Sequence, residues 1–189
     1  MSEQERYAKA LAFATEKHSG QFRIGGLPYI THPVAVAELL RNQGYNTDYQ
    51  IAGLFHDLLE DTDATVSEIE ALGGSDVADA VQRLTKTKGY VMAEYIAGIR
   101  ENPMATAVKA ADRLHNLRCA VTAGQDFRRR YILESIDWYL DFSPEIPKAV
   151  KALILTLDSP MHELPLEYRE ISPEELHMTQ KQNEKGGGV

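Results

Sequence analysis

The sequence predicts an all-α fold, a single helical bundle of about eight to ten helices with little or no β structure. Three observations lead there. Apolar residues recur at spacings of three and four from Tyr7 to Leu157, the period of helices with one buried face. No segment sustains a two-residue alternation of β-branched residues, as a half-buried strand would. Gly, Pro and Asn cut the pattern into pieces of helical length.

Each element follows from its own signals. Tyr7, Ala8, Leu11, Ala12 and Ala14 carry a first helix to His18. Residues 19–28 hold three Gly and a Pro, which marks a loop. Pro33 suits the first turn of a second helix, which Val34, Val36, Ala37, Leu39 and Leu40 extend toward Gly44. Thr47 or Asp48 can cap a central helix that Thr62-Asp63 ends. A short helix from Thr65 stops at Gly73-Gly74, and Ser75 or Asp76 can cap the next, with Val77, Ala80, Val81 and Leu84 inside. Residues 86–89 break it. Further helices are expected over 90–101, 105–121, 127–140 and 144–157. After Asp158 the pattern dissolves among Pro160, Pro165, Pro173 and scattered Glu. The expected division is therefore a folded domain over 1–158 and an extended or partly disordered tail over 159–189, with a short helix near Pro173–Gln182.

The central helix carries the chemistry. Taken as continuous, residues 51–61 advance about 100° each. His56, Asp57, Glu60 and Asp61 then share an arc of roughly 140°. Ile51, Leu54, Phe55 and Leu58 lie opposite, where they can bury. An acidic face in solvent is one reading. A metal site is the other, and it requires partners from elsewhere. His32, at a helix start after the Gly-rich loop, and Asp112, on the 105–121 helix, can supply them. Lys109 and Asn116 share the face of Asp112, opposite Ala107, Leu114 and Leu117. A set of two imidazoles and two carboxylates without thiolate suits Mn²⁺, Fe²⁺, Zn²⁺ or a similar divalent ion. Such a site polarises a phosphoryl oxygen and supplies hydroxide near neutral pH.

Composition excludes other classes. The chain has 189 residues, 43% hydrophobic, with a net charge of −8. That charge argues against broad nucleic-acid binding and leaves room for a small phosphorylated substrate met by local Lys and Arg. Cys119 is the single cysteine, so no intrachain disulfide forms. No apolar run approaches the ~18–20 residues of a membrane helix. The polar N-terminus is unlike a signal peptide. A soluble cytoplasmic protein is the expectation.

Four blocks carry a resemblance. They are His18-Ser19-Gly20-Gln21-Phe22-Arg23, Pro28-Tyr29-Ile30-Thr31-His32-Pro33, Phe55-His56-Asp57-Leu58-Leu59-Glu60-Asp61-Thr62, and Lys109 through Arg118. In order and spacing they resemble the HD phosphohydrolase superfamily, and more closely the hydrolase domain of the Rel/Spo family. The likeness covers residues 5–155. It implies a stand-alone alarmone hydrolase, the chain being too short for a synthetase domain as well. Such an enzyme removes the 3′-pyrophosphate of guanosine tetra- and pentaphosphate (ppGpp and pppGpp), usually with Mn²⁺; Fe²⁺, Zn²⁺ or Mg²⁺ are alternatives. It implies His32, His56, Asp57 and Asp112 as metal ligands and Glu60 and Asp61 as catalytic carboxylates, their roles as acid or base unassigned. It further implies that Arg23 contacts the nucleotide and that Asn116 lies near the ribose and the leaving 3′-oxygen. Ile24 and Cys119 depart from the family's frequent Lys and Thr, near the base and its phosphates. They keep open another nucleotide, such as an adenosine alarmone or the 2′-phosphate of NADPH. A non-catalytic nucleotide-binding module is a third reading.

Other residues carry paired readings. Lys86 either neutralises substrate phosphates or belongs to an ordinary loop. Lys109 belongs to the site face and is expected to bind substrate. His18 and His115 are taken as structural, hydrogen-bonding helices around the site, whereas Tyr29 packs beneath the loop, with substrate contact as the alternative. Arg128-Arg129-Arg130 is a solvated helix start, with a homo-oligomer contact as the alternative.

Overall fold

The computed structural model describes residues 1–162 and 164–169. Its elements are α-helices: α1 (Glu3–Lys17), α2 (Thr31–Asn42), α3 (Thr47–Phe55), α4 (Leu58–Asp61), α5 (Val66–Gly73) and α6 (Ser75–Leu84). They continue with α7 (Met92–Arg100), α8 (Pro103–Cys119), α9 (Gln125–Trp138), α10 (Glu145–Ile154) and α11 (Leu166–Arg169). The fold is all-α. No strand forms among the described residues, where an isolated antiparallel bridge pairs Phe22 with Pro28. The chain divides into two compact units, Met1–His115 and the residues from Asn116 onward.

In the first unit α3 is the hub, packed against α1, α2, α5 and α6. Ile51, Ala52, Leu54 and Phe55 are fully buried. Phe55 meets Phe13 edge to face, with centroids 5.7 Å apart. The cap of α3 is Asn46, whose side chain accepts from the amides of Asp48 and Tyr49. Thr47 and Asp48, the expected caps, lie inside the first turn. Likewise Ser75 and Asp76 do not cap α6. Gly74 precedes it directly at φ +94°, a backbone conformation that favours glycine. Gly53 lets α2 and α3 approach closely. A Cβ there would meet Leu40 Cδ1 at 2.9 Å and the Ala37 backbone at 3.3 Å.

The continuous helix expected over 51–61 does not form. α3 ends at Phe55, His56-Asp57 make a turn, and α4 starts at Leu58. The cause is local. In an unbroken helix the Gly53 carbonyl accepts from the amide four residues on. Here it faces the His56 imidazole instead, with Nδ1 at 2.8 Å. The amides of Glu60 and Asp61 both return to the Asp57 carbonyl. Leu58 is still fully buried, so the turn re-aims His56 and Asp57 without giving up the apolar face.

Helix α8 is buried on more sides than its expected stripe. Ala105, Val108, Ala111, Asp112 and Arg113 are all buried beside Leu114 and Leu117. In the second unit Ile132, Tyr139, Ile146, Val150 and Leu153 form the core. Arg128 and Arg129 are not a solvated helix start. Arg128 Nη1 donates to the Thr156 carbonyl at 2.7 Å and Arg129 Nη2 to the Ser159 carbonyl at 2.9 Å. The tail expected from residue 159 begins as packed chain, with Met161, Leu164 and Tyr168 buried. The remainder of that tail, including the helix expected near Pro173–Gln182, lies outside the described residues. Among the described residues no helix is long and apolar enough to cross a membrane.

Replacing Gly53 with Ala forces α2 and α3 apart. Overpacking of this kind costs about 1–3 kcal/mol, and chemical denaturation of G53A should show a loss in that range.

Candidate metal centre

Three segments of the first unit bring ligand-type side chains together. His32 stands on the first turn of α2, His56 and Asp57 in the turn between α3 and α4, and Asp112 on α8. The close α2–α3 packing delivers the two imidazoles, with Nε2 atoms 3.2 Å apart. Ligand atoms of His32, His56 and Asp57 all lie within 4.8 Å of one another. Asp57 Oδ2 is 3.0 Å from His56 Nε2 and 3.7 Å from His32 Nε2. Asp112 Oδ1 is 3.1 Å from His32 Nε2 and 3.7 Å from His56 Nε2. The Nδ1 atoms point away, toward the Gly53 carbonyl for His56 and toward His115 for His32. Two Nε2 atoms and carboxylate oxygens facing one point fit a divalent ion of the first transition row.

The electrostatics follow from burying these groups together. Burial alone would lower the His56 pKa, but Asp57 and Asp112 outweigh it and push the value up to about 10. Burial dominates at His32 and lowers its pKa against the pull of Asp112. Asp57 is raised by burial, yet His56 and His32 hold it below the ordinary carboxylate range. Asp112 is likewise pushed up by burial and brought well below its ordinary value by Lys109, His32 and His56.

A second layer surrounds the cluster. The Tyr29 hydroxyl donates to Asp57 Oδ2 at 2.7 Å and reaches Asp61 Oδ2 at 3.3 Å. The His18 imidazole contacts Gln21 Oε1 at 2.7 Å, and Gln21 Nε2 donates to the Asp61 carbonyl at 2.8 Å. Asp61 therefore has fixed neighbours on two sides. Burial first, then Asp57 and Glu60, raises its pKa. Glu60 is exposed, and its Oε2 accepts from the Lys86 amide at 2.9 Å. That contact ties α4 to the loop after α6. Lys86 Nζ lies 5.3 Å from the Tyr90 ring and 5.5 Å from Tyr95.

Residues 10–143 match the protein-family model described as HD domain. The chain belongs to the HD-domain family. An HD-domain hydrolase implies a divalent metal, and His32, His56 and Asp57 form a possible site for it. This HD chain is 39% identical over 140 residues to a probable guanosine-3′,5′-bis(diphosphate) 3′-pyrophosphohydrolase of Synechocystis sp., covering 68% of the chain and 18% of that relative. It is 36% identical over 146 residues to the bifunctional (p)ppGpp synthase/hydrolase SpoT of Escherichia coli, covering 71% and 21%. The chain thus spans about a fifth of the length of these relatives. The solved structure of a metazoan ortholog of SpoT that hydrolyses ppGpp covers 93% of this chain and 95% of its own, with a TM-score of 0.61 at 24% identity. That likeness shows a shared HD fold.

The other predicted residues of this HD domain scatter around the cluster in informative ways. Lys109 Nζ is committed to Asp112 Oδ2 at 2.9 Å, so it supports a carboxylate of the cluster. Arg23 is half-buried in the loop before α2, where its amide and carbonyl close the turn through Leu27 and Gly26. Asn116 follows His115 on α8 and begins the second unit. Tyr29 and His115 contact ligand candidates directly, Tyr29 through Asp57 and His115 through His32. Tyr29 sits three residues before His32, and His115 three after Asp112. In both cases a spacing of about one turn from a ligand candidate was the available signal.

Glu60→Ala removes the acceptor for the Lys86 amide. Loss of a bond to a charged group is worth about 1.5–3 kcal/mol, so that amide should exchange with solvent about 10–100-fold faster, read by hydrogen-exchange NMR.

Proposed function

We propose that this chain is a metal-dependent phosphohydrolase that removes the 3′-pyrophosphate of ppGpp and pppGpp, giving GDP or GTP and pyrophosphate. The observation that carries the proposal is the convergence of His32, His56, Asp57 and Asp112 with Glu60 and Asp61 one turn further on. The names of the curated relatives supply the substrate class. We assign the chemistry to residues 1–158, with 159–189 outside it, and Mn²⁺ as the ion.

In this reading His32, His56, Asp57 and Asp112 hold the metal. The bound ion supplies Lewis-acid polarisation of the phosphoryl oxygen and lowers the pKa of water. The chain's own residues do the rest. Tyr29 fixes one oxygen of Asp57 and stands beside Asp61. Asp61, with its pKa raised, is suited to exchange a proton with the attacking water or the leaving oxygen. Glu60 offers a second carboxylate for the other transfer while holding the Lys86 loop. Lys86 and Arg23 supply positive charge for the substrate phosphates, and Asn116 a polar contact near the ribose.

The test is turnover by Mn²⁺-loaded protein over a panel of nucleotides, with products identified. Release of pyrophosphate from ppGpp is expected; intact ppGpp beside turnover of an adenosine alarmone or NADPH moves the substrate and keeps the chemistry. Two variants separate the layers. Asp57→Ala should lose metal and activity together. Glu60→Ala should keep metal and lose about 10²–10⁴-fold in rate, the usual scale of general acid–base catalysis.

A further inference from the structure

We infer that His115 is a positioning residue that selects the metal-binding tautomer of His32. The inference rests on the reading of His32, His56 and Asp57 as a metal site. It starts from a bracket. Asp112 and His115 stand one turn apart on α8 and approach opposite edges of one imidazole. Asp112 Oδ1 is 3.1 Å from His32 Nε2, and His115 Nδ1 is 2.8 Å from His32 Nδ1. The His32 and His115 rings stack with centroids 4.9 Å apart and planes 30° from parallel.

A neutral imidazole carries one ring proton, so one nitrogen donates and the other accepts. A metal-ligating imidazole is neutral. Two arrangements then compete. With the proton on Nε2, His32 donates to Asp112 Oδ1 and its coordinating lone pair is gone. With the proton on Nδ1, His32 donates to His115 and Nε2 presents its lone pair to Asp57 and Asp112. The acceptor at position 115 is what makes the second arrangement affordable. The His32 side chain is 2% exposed, and its ring is flanked edge to face by His56 and Tyr29. Without an acceptor at 115, a proton on Nδ1 would be buried without a partner, a cost that favours the Nε2 tautomer and its closed bond to Asp112. His56 has the same device in a different form, since its Nδ1 faces a backbone carbonyl. No substitution at a neighbouring side chain removes that acceptor, whereas His115 is replaceable.

The experiment measures Zn²⁺ and Mn²⁺ affinity by chelator competition for the wild type, His115→Leu and His115→Asn. Asn places Oδ1 where Nδ1 of His115 stands and keeps an acceptor; Leu keeps none. Leu should weaken binding about 10–100-fold, the range seen when partners of ligating histidines are removed, while Asn stays within about threefold of wild type. Long-range ¹H–¹⁵N spectra of the Zn²⁺-loaded wild type should show His32 protonated at Nδ1, a readout that stands even where His115→Leu does not fold. Equal affinity of folded His115→Leu and wild type overturns the inference, as does equal loss in both variants or a His32 bound through Nδ1. A wild type that takes up no divalent ion overturns the metal-site reading itself, and this inference with it.

Discussion

Two imidazoles and two carboxylates lie against one another, three of them buried and Asp57 partly so. Burying an unpaired charge costs several kcal/mol per ion, so each member must find compensation close by. Every visible compensation has a named partner. Asp57 has the Tyr29 hydroxyl, Asp112 has Lys109, His56 has the Gly53 carbonyl and His32 has His115. Removing any one partner leaves a buried polar atom exposed to the full desolvation penalty. The segments that supply partners, from the loop at Tyr29 to α8, are therefore held in register by electrostatics as well as by apolar packing.

The opposed pKa directions have burial as the first cause at His32 and the charge on His56 as a further one. His32 and His56 touch the same two carboxylates, yet His56 is pushed up and His32 is pulled down. Once one imidazole is charged, a second positive charge beside it is unfavourable. A cluster of this kind titrates as a unit. Lys109 occupies the outer oxygen of Asp112 and leaves the inner one to the histidines.

The sequence made the apolar framework legible because helical periodicity reports burial directly. Ile51, Leu54, Phe55 and Leu58 were placed inside and are fully buried. The break after Phe55 was not legible. Residues 51–61 hold no proline and their one glycine, Gly53, lies inside α3; at the turn His56 contacts a carbonyl three residues back, a contact that periodicity does not encode. The four polar residues of the expected arc stay on neighbouring turns all the same, because α4 starts directly after Asp57. The clamp of Arg128 and Arg129 on the 156–159 segment was hidden for a different reason. An arginine bound to a distant backbone carbonyl leaves no pattern in its own neighbourhood. Tyr29 and His115 were visible by spacing, but a spacing alone does not separate a support from a bystander.

The same distinction explains why reaction class is better determined than substrate. His32, His56 and Asp112 are buried, and burial restricts which residues can stand there. The groups that would read the nucleotide sit on exposed chain. Phe22, Ile24 and Leu27 are 67%, 70% and 62% exposed on the loop that carries Arg23, and Lys86 stands at the start of another loop. An exposed position tolerates change at little cost in stability, so Ile24 can differ from the family's frequent lysine without disturbing the cluster. The coupling between the layers runs through Glu60 and Asp61. Asp61 is joined to Asp57 by the Tyr29 hydroxyl, and Glu60 is joined to the Lys86 backbone. Adjacent in sequence, one carboxylate faces the buried centre and the other holds a surface loop.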